Sequence, residues 1–334
     1  MHSISTLSDG VRVRVPDVIG KYRVVRTIGK GGFAVVVLGV NPKTQKQVAI
    51  KIISREEVTK RNLMQYLENE LRLSTRFDHP NVCKVLDVIY EEDIIMVVME
   101  YFKNGDLQSM LSNGVNFTYE QKCKISFDIL QGINYLHKRD ISHRDIKPEN
   151  VLLDDDFTPK LIDFGLAKEN GTSLHTYCGT PFYMAPEVII SDTYDGIKAD
   201  IWAFGVTVHV LSTGKFPWYV KNDVQLIREL QANKLELIIE PTGVLGTLIS
   251  KCLVFDSKKR SSSSDLLTLL ENYDYQPIQV IHKSLFTKKT STDSILPHLS
   301  NIPKNNSNLP KKYHSQEKGF WKIKFQCGRL SNLQ

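Results

Sequence analysis

The apolar residues of this chain change their period once, and that change limits the folds open to it. Between residues 22 and 100 they form short β-branched runs. Val24, Val25 and Ile28 precede a glycine cluster, and further runs follow at 35–40, 48–53, Val85–Tyr90 and Ile94–Glu100. Asn41-Pro42-Lys43-Thr44 and Glu91-Glu92-Asp93 read as turns between such runs. A single helical stretch interrupts them at 56–77, where Leu63, Leu67, Glu70, Leu71 and Ser74 share helical spacing. After Asn104-Gly105 helical patterns take over, at 117–138 and again at 200–211. The second is apolar nearly all round, which predicts a helix inside a core. Ser262 and Asp265 form a capping-box pattern that opens a last helix. Five strands with one main helix, then a mainly helical region, predict an α+β chain in two lobes. The small antiparallel lobe spans 22–99 and the larger helical lobe 103–275. Residues 1–21 show no clear period and are expected to be an N-terminal extension.

Charge is distributed unevenly. From Gln276 onward there are ten Lys/Arg against two acidic residues, so that stretch carries +8 and the remainder −2 within a total of +6. The last stretch, 276–334, is rich in Lys, Ser, Asn, Thr and Pro and is expected to be a disordered basic tail. Within it, Phe320-Trp321-Lys322-Ile323-Lys324-Phe325 mixes aromatic and basic residues, as membrane-surface segments do. Its alternation is strand-like, however, so a basic tail without membrane contact is the preferred reading. Because the excess charge lies outside the main domain, no nucleic-acid partner is expected. The five cysteines are scattered and none stands at C-x-x-C spacing, which suits a reducing compartment. No apolar run approaches the roughly 20 residues that span a bilayer. A cytoplasmic or nuclear monomer is expected.

Four motifs carry chemistry. Gly29-Lys30-Gly31-Gly32-Phe33-Ala34-Val35-Val36 lets backbone N–H groups approach phosphates, because no Cβ stands in the way. Alone it is weak, since glycine-rich hairpins are common. It also leads into a strand, which excludes a dinucleotide-binding turn. Val48-Ala49-Ile50-Lys51 places a lysine one hairpin later, with Glu70 on the predicted helix as its partner; by itself Lys51 would be a solvated strand-end residue. His143-Arg144-Asp145-Ile146-Lys147-Pro148-Glu149-Asn150 is the strongest signal. It gathers a carboxylate, an ammonium and a carboxamide in one loop. Phosphoryl transfer needs a group to orient the hydroxyl, positive charge near the phosphate and a metal ligand. Asp163-Phe164-Gly165 follows an apolar run, and its carboxylate suits Mg2+, which prefers hard oxygen donors.

Taken together, residues 22–275 resemble the eukaryotic protein kinase family, which serves as a worked template for these roles. The resemblance implies ATP and Mg2+ as cofactors and protein substrates as partners. It implies Asp145 as catalytic base, Lys147 beside the γ-phosphate and Lys51 paired with Glu70. Asn150 and Asp163 would hold Mg2+. Nucleotide contacts would come from Ile28, Gly29, Lys30, Gly31, Gly32, Phe33, Ala34, Val36, Ala49 and Leu152. The linker residues Glu100 and Phe102 would meet the adenine, with Met99 guarding the pocket behind it. Glu187 of Ala185-Pro186-Glu187 would pair with Arg260, and Asp200 would brace the catalytic loop. Lys147 and Gly179-Thr180-Pro181 resemble the serine/threonine form, with Thr180 touching Asp145 and Lys147.

The segments around Thr176 and Asp200 resemble the calmodulin-kinase-like group, nearer its AMP-activated-kinase-related branch. Family spacing implies a regulatory phosphate at Thr176, added by an upstream kinase and gathered by Arg144 and Lys168. Asp106 and Glu149 match acidic positions that meet a basic residue upstream of the target hydroxyl. Two departures stand out. Ala34 replaces the third glycine of the loop, which is harmless. Ser74 stands where the family places an apolar residue of an internal column. The alternative to an enzyme is a pseudokinase scaffold, but such proteins lose Lys51, Asp145 or Asp163, and all three are present.

Overall fold

The computed structural model describes residues 2–7, 10–271 and 327–328. Its small lobe is an antiparallel sheet in the order β3-β4-β5-β6-β8-β7. The five long strands are β4 (Tyr22–Lys30), β5 (Ala34–Val40), β6 (Gln47–Ser54), β7 (Val85–Tyr90) and β8 (Ile94–Glu100). They match the five runs of the sequence. The two-residue β3 (Val18–Ile19) adds an edge that the sequence did not suggest.

Strict alternation splits the central strands into two faces. Ala34, Val36, Leu38, Ala49, Ile53, Ile95, Val97 and Met99 look into the cleft between the lobes. Their neighbours Val35, Val37, Val48, Ile50, Ile52, Ile94, Met96 and Val98 form a separate apolar cluster on the other face. The described residues ahead of Tyr22 supply the cover for that outer face. Strands β1 (His2–Thr6) and β2 (Arg12–Pro16) pair as an antiparallel hairpin, and Leu7, Val13, Val15 and Ile19 pack into the outer cluster. The N-terminal stretch is therefore part of the lobe. Burying Leu7, Val13 and Val15 contributes about 5–9 kcal/mol as an upper bound.

The helix expected at 56–77 is two helices. Helix α1 (Arg55–Lys60) starts at an N-cap where Ser54 Oγ accepts from Glu57 N at 3.3 Å. It stops at Asn62, whose φ of +55° is left-handed and cannot continue a right-handed helix. Helix α2 (Met64–Ser74) then runs along the sheet with Leu67, Leu71 and Leu73 buried.

In the large lobe, α3 (Leu107–Ser112) and α4 (Tyr119–His137) come first. Thr118 and Gln121 close a capping box at the start of α4. Helix α5 (Pro186–Ile190) leads to α6 (Gly196–Thr213), in which every residue from Ala199 to Leu211 is buried. Helices α7 (Asp223–Gln231), α8 (Gly243–Cys252) and α9 (Ser263–Glu271) complete the lobe. The capping pattern read at Ser262 is present: Ser262 N donates to Asp265 Oδ2 at 3.1 Å, and Asp265 N to Ser262 Oγ at 3.2 Å.

Short ribbons between α4 and α5 hold the loops of the cleft. Strand β9 (Ile141–Ser142) pairs with β12 (Lys168–Glu169), and β10 (Val151–Leu153) with β11 (Pro159–Leu161). Strand β13 (Tyr177–Cys178) pairs with β14 (Cys327–Gly328). The rest of the expected tail, including Phe320 to Phe325, lies outside the described residues. Among the described residues no helix is long and apolar enough to cross a membrane.

Val15 is 3% exposed. Val15→Ala is expected to lower stability by about 2 kcal/mol through lost burial and a residual cavity. Deleting residues 1–17 should lower it further. Denaturant or thermal unfolding of the full chain checks both.

Candidate active site

The cleft site is assembled from the sheet side first. Gly31 N donates to Ala34 O at 2.8 Å, closing the turn between β4 and β5. Register then places Val36 opposite Lys51, and Ala49 opposite Met99. Lys51 shares the cleft face with Ala49 and Ile53, so its ammonium enters the cleft and not solvent. Its Nζ lies 2.6 Å from Glu70 Oε1. Burial raises the pKa of the Glu70 carboxyl, and the Lys51 charge opposes that rise. Glu70 Oε2 is buried without a partner, leaving an acceptor open beside the phosphate region.

Ile28, Phe33, Ala34, Val36, Ala49, Met99, Phe102 and Leu152 all join one apolar cluster. Residues that the resemblance assigned to the nucleotide are thereby brought together, whereas Lys30 is exposed. Glu100 accepts from Lys84 N at 2.9 Å through its side chain. Behind Met99 lies a cavity of about 60 Å3, lined by Glu70, Ser74, Cys83, Met99 and Phe164 among others. Ser74 forms part of its wall. The ring of Phe77 contacts Phe164 edge-on at 4.7 Å, and Phe164 meets His143 at 5.1 Å. An aromatic column thus passes through Phe77, a residue the sequence did not single out.

The opposite wall is the loop containing Asp145. Asp145 Oδ1 accepts from Thr180 Oγ1 at 2.9 Å, and Oδ2 from Asn150 Nδ2 at 2.9 Å. Lys147 Nζ donates to Thr180 Oγ1 at 2.6 Å and also binds Asp145. Gly179 allows this arrangement: it has a φ of +115°, and a Cβ there would lie 2.9 Å from Arg144 O. Asn150 Nδ2 donates to both Asp145 O and Asp145 Oδ2. That fixes the amide orientation and leaves Asn150 Oδ1 as a free acceptor. With the Asp163 carboxylate it forms a donor set of hard oxygens that fits Mg2+.

Arg144 and Asp163 both have left-handed backbones, with φ of +66° and +63°. Asp200 from α6 stabilises the first. It is 1% exposed and accepts from His143 N at 2.7 Å and Arg144 N at 2.8 Å. His137 Nε2 lies 3.1 Å from the same carboxylate. His143 Nδ1 accepts from Asp145 N at 3.3 Å, so its Nε2 donates to Ile162 O at 2.9 Å. This ring ties the Asp145 loop to the strand before Asp163. His137 and the bridging role of His143 were missed in the sequence, where each is one histidine among nine. At the base of the lobe, Arg260 Nη1 and Nη2 meet Glu187 Oε1 and Oε2 at 2.6 and 3.0 Å.

Two predicted residues stand apart from the nucleotide side. Asp106 is 5% exposed and caps α3, accepting from Ser109 N and Ser109 Oγ at 2.7 Å each. Thr176 is half-buried, and its carbonyl accepts from Tyr194 OH at 2.9 Å.

Residues 22–270 match the family profile described as "Protein kinase domain". The chain belongs to the protein kinase family. It is 36% identical over 247 residues to CBL-interacting protein kinase 26 of Oryza sativa subsp. japonica, covering 72% of this chain and 50% of that one. It is 34% identical over 281 residues to the probable serine/threonine-protein kinase MARK-A of Dictyostelium discoideum, covering 83% and 26%. Against serine/threonine-protein kinase SIK1 of Rattus norvegicus it is 36% identical over 244 residues, covering 72% and 31%. The chain thus spans from about a quarter to half the length of these relatives. They are kinases of the calmodulin-kinase-like group, AMP-activated-kinase-related, as the motifs implied.

Glu187→Ala should destabilise this kinase domain by about 3–5 kcal/mol, because it strands the buried Arg260 charge. Equilibrium unfolding of the variant against the parent measures that loss.

Proposed function

We propose that the chain is an ATP-dependent protein serine/threonine kinase. The observation that carries this reading is the triangle of Asp145, Lys147 and Thr180 beside Asn150. Asp145 keeps one oxygen on Thr180 and the other on Asn150. A substrate hydroxyl entering beside Thr180 would take the place of its hydrogen bond and give its proton to Asp145. Lys147 is then positioned to compensate charge on the transferred group, and Lys51, fixed by Glu70, to orient the phosphates. Asn150 and Asp163 would hold Mg2+, which would neutralise phosphate oxygens. Presence of Lys51, Asp145 and Asp163 in one cleft supports an enzyme over a scaffold.

Substrate choice follows from what faces the groove. Asp106 is committed to its helix cap, so Glu149, which is exposed, is the better acid for a basic residue upstream of the target hydroxyl. A peptide library with Mg-ATP tests the whole reading. Phosphate is expected on Ser and Thr peptides, with Arg or Lys preferred upstream, and none on Tyr peptides. Asp145→Ala should lower the rate roughly 10²–10⁴-fold, and chelating Mg2+ should abolish it. Phosphorylation that survives in Asp145→Ala would refute the assignment.

Thr176 is the regulatory residue in this reading, modified by an upstream kinase. Its backbone is held by Tyr194; Arg144 belongs to the loop of Asp145, and Lys168 to β12. A phosphate would add nearly two negative charges for these cations to gather. Thr176→Ala should lower peptide turnover severalfold in protein first treated with an activating kinase. Equal turnover of the two proteins would remove Thr176 from the mechanism.

A further inference from the structure

Helix α2 carries Glu70, yet its N-terminal end holds it weakly. Its N-cap position, Leu63, makes no side-chain cap, and its first turn has no acidic residue. Its polar attachments reach instead to the chain just after Gly165. Asn69 Nδ2 donates to Ala167 O at 2.7 Å. Arg72 Nη1 donates to Glu169 Oε2 at 2.6 Å, and Arg76 Nη1 to Glu169 Oε1 at 3.0 Å. One carboxylate therefore receives two guanidinium groups, one from the last turn of α2 and one from the turn that follows it. Asn69 Oδ1 also accepts from Arg72 Nη2 at 3.1 Å, which aims that guanidinium. Bonding to Arg72, with the charges of both arginines, holds the Glu169 carboxyl below its usual range.

The place of Glu169 in the chain gives these contacts their significance. It lies on β12, which pairs with β9 through Lys168–Ser142 and Glu169–Ile141. Strand β9 runs directly into His143-Arg144-Asp145, and β12 follows Asp163-Phe164-Gly165 after Leu166 and Ala167. Glu169 thus joins the helix of the small lobe to the ribbon from which both loops of the large lobe depart.

We propose that Glu169 is a positioning residue, an ionic latch that keeps helix α2, and with it the Lys51–Glu70 pair, aligned with Asp145 and Asp163. A single exposed ion pair would do little, and Arg72 and Arg76 are 50% and 63% exposed. Here two donors converge on a carboxylate only 28% exposed, and the Asn69–Ala167 bond adds to them in the same direction. The latch biases how often the helix is aligned and leaves the stability of the whole domain nearly untouched. Where misaligned molecules still bind ATP, kcat falls in proportion to the aligned fraction and KM changes less.

The kinetic arm of the test rests on the kinase reading above, so a second arm is independent of it. Hydrogen exchange of residues 64–74 is measured in the full chain carrying Asp145→Ala, with and without Glu169→Gln. Faster exchange there, with α6 unchanged, is expected. In protein with Asp145 intact, Glu169→Gln should lower kcat about three- to tenfold, with a smaller change in KM for ATP and an unchanged melting temperature. The double variant Arg72→Gln/Glu169→Gln should be no worse than the poorer single variant. Unchanged exchange and kcat, additive losses in the double variant, or a kcat loss matched by a fall in melting temperature would each overturn the latch. If the parent shows no Asp145-dependent transfer, the kinase reading fails and the exchange arm still decides the latch.

Discussion

Asp200 is buried to 1% exposure, and its two oxygens receive the backbone N–H groups of His143 and Arg144 and face the ring of His137. A carboxylate so far from water is costly unless its hydrogen bonds are made. Satisfying them fixes the backbone that precedes Asp145. It also offsets the left-handed conformation of Arg144, which a non-glycine residue rarely adopts. The rest of the catalytic wall follows from this anchor. His143 carries the constraint on to Ile162 and so to Asp163, while Asn150 and Thr180 close round Asp145 itself. Helix α6 can provide such an anchor because it is buried along almost its whole length.

The facing wall depends on a different constraint, the period of two in β5, β6 and β8. Since every second side chain looks into the cleft, Lys51 is delivered to Glu70 by the same alternation that puts Ala49 and Val36 over the nucleotide region. The other half of the alternation must be covered as well. The N-terminal hairpin does this, and it gives the sheet two apolar layers where one solvated face would otherwise exist. The cleft geometry and the N-terminal segment are therefore coupled through the sheet they share.

Much of the site was legible in the sequence because its chemistry demands residue types at short separations. The string from His143 to Asn150, the Asp163 motif and the glycine-rich turn are local; the first is strong by itself, and the other two gain their meaning from their order along the chain with it. The pairing of Lys51 with Glu70 was read from the strand and the predicted helix, that of Glu187 with Arg260 came from the family resemblance, and both pairs are in contact. Other features were not legible. The helix break at Asn62 turns on one residue that tolerates a left-handed backbone, against an apolar pattern that runs straight through it. Asp106 reads as an acid for a basic substrate residue until its burial at the N-cap of α3 is seen. The need for a cover on the outer face of the sheet was not read from the sequence either. The segment that supplies it has too few apolar residues to be recognised alone.

The sequence by itself determined the two-lobed order of strands and helices and the identity of the groups around the transferred phosphate. Both follow from periodicity and from the donors and acceptors that the residues carry. Only the tertiary structure decided which of those groups are held and by what: Asp145 by Thr180 and Asn150, its loop by Asp200, and α2 by Glu169. Apart from the Asn150 contact, five positions away, these join residues 35 to 97 positions apart. Their partners are chosen by burial and packing direction, which no local pattern of residues records.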